Sequence, residues 1–329
     1  MAPPLYGAIE AGGTKIIVAV GRGPDELLAD ARIPTAAPEE SWPRVLAFLA
    51  DASRAHGPLR AIGLASFGPV DVRRGSPTWG RLLRTTKPGW SGFDMAGPLA
   101  ARFGVPVGFD TDVNGAALGE ARWGAARDLS CAAYVTVGTG VGGGAVIDGR
   151  PLHGLLHPEM GHVPVRRVAG DDFPGVCPFH TDCIEGMASG PAILARCGTS
   201  LDKLPAEHPV RGLVAAYLGQ LCAQIALLLS PERIVLGGGV MTGGGLHGAV
   251  AREMNGWLRG YVQAEAVEAP GYLVPPALGD RAGLLGALAL AADAGGRAAS
   301  RATASASRRT LSSRGPDVST RASLHGRSL

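Results

Sequence analysis

The chain has 329 residues, 46% of them hydrophobic and 18% charged, which leaves room for two lobes with sizeable cores and excludes disorder of the whole chain. Its formal net charge is +3, yet seven Arg and one Asp place +6 in the last 33 residues. The rest is mildly acidic, at −3, so a basic nucleic-acid face on the body is excluded.

The start, MAPPLYGAIEAGG, lacks the charged-then-apolar layout of a signal peptide. Apolar runs such as residues 221–229 are too short to span a bilayer, so no membrane partner is expected. Five cysteines are too few and too odd for a disulfide scaffold, and a cytoplasmic location fits them.

In chain order, residues 8–21 (AIEAGGTKIIVAVG) read as strand, glycine turn, strand. Residues 41–55 keep helical spacing behind Ser41 as a capping serine. Strands follow at 61–67 and 105–110, then a helix at 114–124. Residues 134–149 (YVTVGTGVGGGAVIDG) repeat the first strand–glycine–strand unit about 125 residues on, which suggests two related lobes. Residues 212–230 read as a buried helix, IVLGGGVM (234–241) as a strand ending in glycines, and 281–294 as a final helix. The pattern is alternating α/β. Residues 297–329, rich in Ser, Ala and Arg, read as a disordered tail, with a nucleic-acid or acidic-partner arm as the alternative.

Gly138 to Gly143 formally match G-x-G-x-x-G, but GAVIDGRPL follows where a helix is required. A Rossmann site is therefore rejected, and no P-loop motif is present. A phosphate-cradling hairpin is the better reading, because glycines let backbone N–H groups approach phosphate oxygens. Gly12, Gly13, Thr14 and Lys15 supply one such hairpin, and Gly138, Thr139 and Gly140 another. Glu10 stands just before the first and could hold Mg²⁺.

EAGGTK, SFGPVD, TDVNGAALGE, GTGVGGG, HPEMGH, CPFHTDCIEGMASGPA and IVLGGGV, in this order, resemble the ROK family of sugar kinases. SPTWGRLLRTTKPGW resembles its bacterial fructokinase branch. The resemblance runs over residues 6–294. It implies an actin-like ATPase (ribonuclease H-like) fold with two α/β lobes around a nucleotide and sugar cleft. The expected lobes are 1–112, with the helix at 281–294 packed back on it, and 113–280, carrying a zinc-binding loop at 162–183. The chain starts at the first hairpin, which favours a kinase over the family's helix-turn-helix repressors.

The implied reaction is ATP-dependent phosphorylation of a hexose, foremost D-fructose to D-fructose 6-phosphate. Glucose, mannose or an amino sugar are the alternatives. A non-catalytic sugar sensor and an actin-type assembly protein are the rivals from other classes. Asp112 matches the family's catalytic aspartate, fit to accept the hydroxyl proton during in-line attack. Thr111 stands where the family's Asn is usual, which leaves the sugar contact at that position open. Asp110 suits an Asx turn capping the helix.

Glu159, His162 and Glu185 are implied as ligands of sugar hydroxyls. Asn114 is grouped with them, although supporting the site or capping the helix suits it better. Gly190, Gly237, Gly238, Gly239 and Val240 are implied to join the ATP site. His162, Cys177, His180 and Cys183 form H-x14-C-x2-H-x2-C, a valid tetrahedral set for Zn²⁺, with His180 where the family often has cysteine. His162 would then serve both zinc and sugar. Cys131, Cys197 and Cys222 read as core residues. Trp79 and Trp90 could shape the sugar entrance, with ordinary packing at least as apt. Lys87 could steer phosphate, with a solvated lysine the better reading, and Arg73 and Arg74 read as surface residues. The expected partners are a hexose and Mg-ATP, in a homodimer.

Overall fold

The computed structural model describes residues 3–262 and 265–312, with no account of side chains from 301 onward. Two five-stranded sheets of matching order organise it. In the first, β1 (Leu5–Ala11) pairs antiparallel with β2 (Lys15–Gly23), and β2 with β3 (Glu26–Pro34). On its other edge β1 pairs parallel with β4 (Leu59–Ser66), and β4 with β5 (Val107–Thr111). The second sheet repeats the plan. Strands β6 (Cys131–Val137), β7 (Val141–Ile147) and β8 (Arg150–Pro151) run antiparallel. On the far side β6 pairs parallel with β9 (Arg233–Gly237), and β9 with β10 (Leu273–Val274). The strand–glycine–strand repeat is thus the opening hairpin of two sheets with one topology.

Helices α1 (Pro38–His56) and α2 (Ala96–Phe103) cover the first sheet. Helices α4 (Ile184–Ala188), α5 (Gly190–Cys197), α6 (Pro209–Leu229), α7 (Gly239–Gly244), α8 (His247–Leu258) and α9 (Glu265–Glu268) belong to the second unit. Helix α6 is long and apolar enough to cross a membrane, but it is mostly buried against α4 and α8 as a core helix.

Between the sheets lie α3 (Asp112–Trp123) and α10 (Ala282–Ser312). They pack on each other, and α10 also packs on β1, β4 and β5. Alanines, Leu118, Leu285 and Leu288 fill this middle core with Tyr134 and Val235 of the second sheet. Close approach here needs glycine. A Cβ on Gly63 of β4 would lie 1.8 Å from the Ala287 carbonyl oxygen, and one on Gly286 would lie 1.8 Å from that of Gly115. Glu120, fully buried on α3, pins the far end. Its carboxylate accepts from Ala125 N (2.6 Å), Leu278 N (2.9 Å) and Ala277 N (3.1 Å).

Three local expectations change. Ser41 does not cap α1, which starts at Pro38. The buried Ser41 hydroxyl instead accepts from Ala36 N and donates to the Pro34 carbonyl. Thr111, not Asp110, caps α3, accepting from Asn114 N at 3.1 Å. The tail is helical from 297 to 312 as the continuation of α10, because its alanines favour helix more than a reading of polarity suggests. Residues 313–329 lie outside the described part.

The glycine seam predicts that Gly63→Ala lowers stability by about 2 kcal/mol or more through overpacking, read as a fall in the urea midpoint. Gly23→Ala, whose Cβ would meet nothing within 4 Å, is the matched control. An unchanged midpoint for Gly63→Ala would refute the seam.

Candidate active site

The β5–α3 junction sets the site. The chain leaves a buried strand at Thr111 and turns into a helix at Asp112. Asp110, at the strand end, is almost fully buried. It accepts from Thr111 N (2.9 Å) and Asn114 Nδ2 (2.8 Å), and its other oxygen lies 2.8 Å from His153 Nε2. Asn114 is fully buried and turned toward Asp110 rather than into the cleft, so its place is that of a positioning residue. These bonds leave Asp112 in the first turn, its Oδ1 accepting from Val113 N at 2.9 Å.

Burial pushes the Asp112 carboxyl up to about 7, and the nearby carboxylates of Glu10 and Glu159 add to the rise. Glu10, at the end of β1, is also raised to about 7, chiefly by burial, against the opposing pull of Lys15 and a Leu284 N–H bond. Glu159 is raised in turn, by burial first, with His157 and His162 opposing and Glu185 assisting. Asp112 thus lies within electrostatic reach of Glu10 on β1 and of Glu159, whose side chain is still 49% exposed. A carboxyl raised in this way is a proton acceptor matched to neutral pH.

Glu10 has an Oε2 that is buried without a hydrogen-bond partner among the described residues. A Cβ on Gly283 would lie 2.5 Å from its Cδ, so glycine there makes room for this carboxylate. A buried carboxylate oxygen with nothing to bond is apt for a hard cation or its water.

Glu159 precedes a 3-10 turn, Met160–His162. His157, which the sequence did not single out beyond its motif, holds this turn against the first sheet. Its side chain is 2% exposed, its Nε2 accepts from Val70 N at 3.0 Å, and its Nδ1 lies 3.5 Å from Glu159 Oε1. An imidazole accepting at Nε2 carries its proton on Nδ1, which donates to the Pro158 carbonyl at 3.3 Å, beside Glu159.

The loop from Cys177 folds back on itself through Cys177 N to Thr181 O (3.2 Å) and Thr181 N to Cys177 O (2.9 Å). This gathers His162, Cys177, His180 and Cys183, whose candidate donor atoms all lie within 4.8 Å of one another. Cys177 Sγ is 3.7 Å from Nδ1 of both histidines, and Cys183 Sγ is 3.6 Å from His162 Nδ1. A tetrahedron with metal–sulfur bonds of about 2.3 Å and metal–nitrogen bonds of about 2.05 Å has sulfur–nitrogen edges of about 3.6 Å, so the donors fit Zn²⁺. Cys183 then caps α4, where Glu185 Oε2 accepts from Val141 N (3.1 Å) of the second hairpin.

The glycine turns differ in what their backbone offers. At the first, Gly12 N bonds Lys15 O (2.9 Å), while Thr35 donates its hydroxyl to Gly12 O (2.8 Å) and its N–H to Thr14 O (3.0 Å). At the second, Gly138 N bonds Gly140 O, and Gly190 N bonds Gly138 O, each at 2.8 Å. Gly190 therefore braces the hairpin holding Thr139, its own N–H already engaged. Gly238, at φ +93°, has its Cα against Val137, where a Cβ would lie 2.4 Å from the carbonyl oxygen. Gly237 sits under Pro276 and Tyr134, while a Cβ on Gly239 would meet nothing within 4 Å. Val240 is buried in the core.

Trp79 and Trp90 take the packing reading, and Arg73 stays at the surface with a buried partner. Trp90 is fully buried, and Trp79 packs edge-on to Phe109 at 6.0 Å. Arg73 is bonded through both guanidinium ends to buried Asp71, which Ser76 and Thr78 also bond at 2.6 Å. Arg73 thus helps hold the 71–80 loop. Lys87 donates to the Gly13 carbonyl.

The pattern of the ROK family matches residues 6–294. The chain belongs to the ROK family. The fructokinase of Zymomonas mobilis is 45% identical over 291 residues, covering 87% of this chain and 96% of that protein. The fructokinase of Pediococcus pentosaceus is 38% identical, covering 87% and 97%. Among solved structures, the ROK hexokinase from Thermus thermophilus superposes with TM-score 0.69 at 30% identity, covering 87% of this chain and 97% of that one. A ROK glucokinase from Streptomyces griseus, solved with glucose and AMPPNP, has TM-score 0.66 at 25% identity, covering 88% and 99%. This ROK chain is a sugar kinase with the actin-like ATPase fold.

The raised carboxyls set the pH dependence of stability. Asp112 moves from 3.8 in the unfolded chain to about 7 in the fold. The fold therefore keeps a proton that the unfolded chain releases, so the contribution of Asp112 to stability is fully present below about pH 4 and is lost as pH rises through about 7. Asp112→Asn should melt higher than the wild type at pH 8, by on the order of 1 kcal/mol or more, and show no such gain at pH 4. Equal melting at both pH values would contradict the burial of this carboxyl.

Proposed function

We propose that this chain transfers the γ-phosphate of ATP to D-fructose, giving D-fructose 6-phosphate. The observation that carries the chemistry is Asp112, raised to about 7 beside Glu10 and Glu159. The choice of fructose is supported by the fructokinase relatives, matched over nearly their whole length.

The cleft lies between the lobes 1–112 and 113–280. The triphosphate sits between the Gly12–Lys15 and Gly138–Gly140 turns, with Gly237 to Val240 behind the nucleotide. Backbone N–H groups there meet phosphate oxygens without a side chain in the way. Glu159, His162 and Glu185 orient the sugar hydroxyls. Asp112 accepts the proton of the attacking hydroxyl as its oxygen bonds the γ-phosphorus and the bond to ADP breaks. Glu10 would hold Mg²⁺, directly or through water, and the ion would neutralise phosphate charge.

Zn²⁺ would be held by His162, Cys177, His180 and Cys183. When bound it supplies structure, fastening the Glu159 turn to α4 and Glu185. His162 would then offer its second ring nitrogen to the sugar. The free cysteines accord with work in a reducing cytoplasm, and we take the assembly to be a homodimer.

A coupled ADP-release assay with separate hexoses checks the reading. Turnover should be highest on fructose, and Asp112→Asn should lower kcat by about 10²–10⁴ while the protein stays folded. Near wild-type turnover by that variant, or a strong preference for another hexose, would overturn the base or the substrate respectively. Atomic absorption should find one zinc per chain, and chelation should raise the KM for fructose by about 10- to 100-fold with ADP binding retained. An unchanged KM after verified zinc loss would refute the clamp.

A further inference from the structure

The chain has 28 arginines and three lysines, Lys15, Lys87 and Lys203. Two of the three meet at one glycine turn. Lys15 begins β2 at the base of the first hairpin. Lys87, 74 residues from Gly13, donates to its carbonyl. That partner is neutral, so the contact holds the ammonium in place without balancing its charge. Two of its three N–H donors remain for other acceptors.

The arm that carries Lys87 is preformed. Trp90 anchors one side, fully buried, with Nε1 donating to the Ala36 carbonyl at 2.9 Å and edge-on contacts to Phe67, Phe93 and Trp42. The base of the arm is closed by Ser91, whose hydroxyl accepts from Thr85 N (3.1 Å) and donates to Thr85 O (3.2 Å). The Thr85 hydroxyl accepts from Lys87 N at 3.3 Å, and Gly89, at φ +78°, turns the chain back toward Trp90. Rigid ends and a flexible four-carbon side chain place one mobile charge over the hairpin tip.

Ala11, just before Gly12, pairs with Ser66 of β4, and Ser66 pairs with Thr111, the residue before Asp112. The hairpin tip and Asp112 therefore leave the sheet at the same end. A cation above Gly13 is therefore near the phosphate that is transferred.

We propose that Lys87 is a catalytic cation for the γ-phosphate, moving from the Gly13 carbonyl to a terminal phosphate oxygen when the triphosphate fills the hairpin. This rests on the kinase reading above. Lysine suits the task as a compact point charge that can change partners, whereas the broad, planar guanidinium of arginine is bulkier and prefers paired acceptors.

Calorimetry with ADP and with the β,γ-imido analogue of ATP, both with Mg²⁺, tests it on wild type, Lys87→Met and Lys87→Arg, with Lys203→Met as control. Lys87→Met should weaken the triphosphate analogue about tenfold or more and leave ADP within about twofold. Its kcat should fall about 100-fold with the KM for fructose unchanged. Lys87→Arg should recover part of the triphosphate affinity, and Lys203→Met should change neither nucleotide. Equal weakening of both nucleotides would make Lys87 a strut of the hairpin and overturn the proposal, as would no change in either. Failure of the wild type to bind any nucleotide would instead strike the kinase reading itself.

Discussion

A carboxylate kept out of water beside two others is costly to fold around, and much of this structure is arranged to hold one there. Asp112 has its position from the turn between β5 and α3, where the Thr111 cap and the Asp110–Asn114 bond fix the first helical turn. The helix is gripped along its length by α10 through contacts too close for a side chain, and Glu120 locks its other end to the 277–278 linker. The rigidity of the middle core thus reaches the site as a fixed direction for one carboxyl.

The second unit contributes by clamping. His162 is one of the four donors gathered at the cluster and also closes the turn that carries Glu159, while Cys183 starts the helix that carries Glu185. Glu185 bonds Val141 at the root of the second glycine turn, which couples the side proposed for the sugar to the turn proposed for the phosphates through one carboxylate. His157 completes the frame across 87 residues of sequence by accepting from Val70. The turn that carries Glu159 and the second glycine turn are therefore mechanically joined.

The local parts of this were legible in the sequence. The two hairpins, the strand before Asp112 and the ligand spacing from Cys177 to Cys183 all lie within short stretches, where periodicity and spacing act directly. What escaped depends on tertiary approach. Nothing near Glu10 in the chain says that one of its oxygens is buried without a partner, because Gly283 makes that space from 273 residues away. Lys87 looked solvated because its partner at Gly13 is remote. Arg73 is at the surface as expected, but its pairing with Asp71 was not legible because the burial of Asp71 comes from the folded loop. The cap of α1 was misplaced since a serine before an apolar run serves equally well inside the first turn, bonding backward to residues 34 and 36. The tail was read as coil on its polarity, although its alanines extend α10 to Ser312.

The most direct test is a carbon-13 NMR titration of the Asp112 side-chain carboxyl in the ligand-free, zinc-loaded protein, assigned by its loss in Asp112→Asn. The account predicts a midpoint near 7, with a weak response to the titration of Glu10 and Glu159. A midpoint near the ordinary 3.8 would mean that the carboxyl is solvated in the fold, and would contradict the desolvated Asp112 on which the site is built.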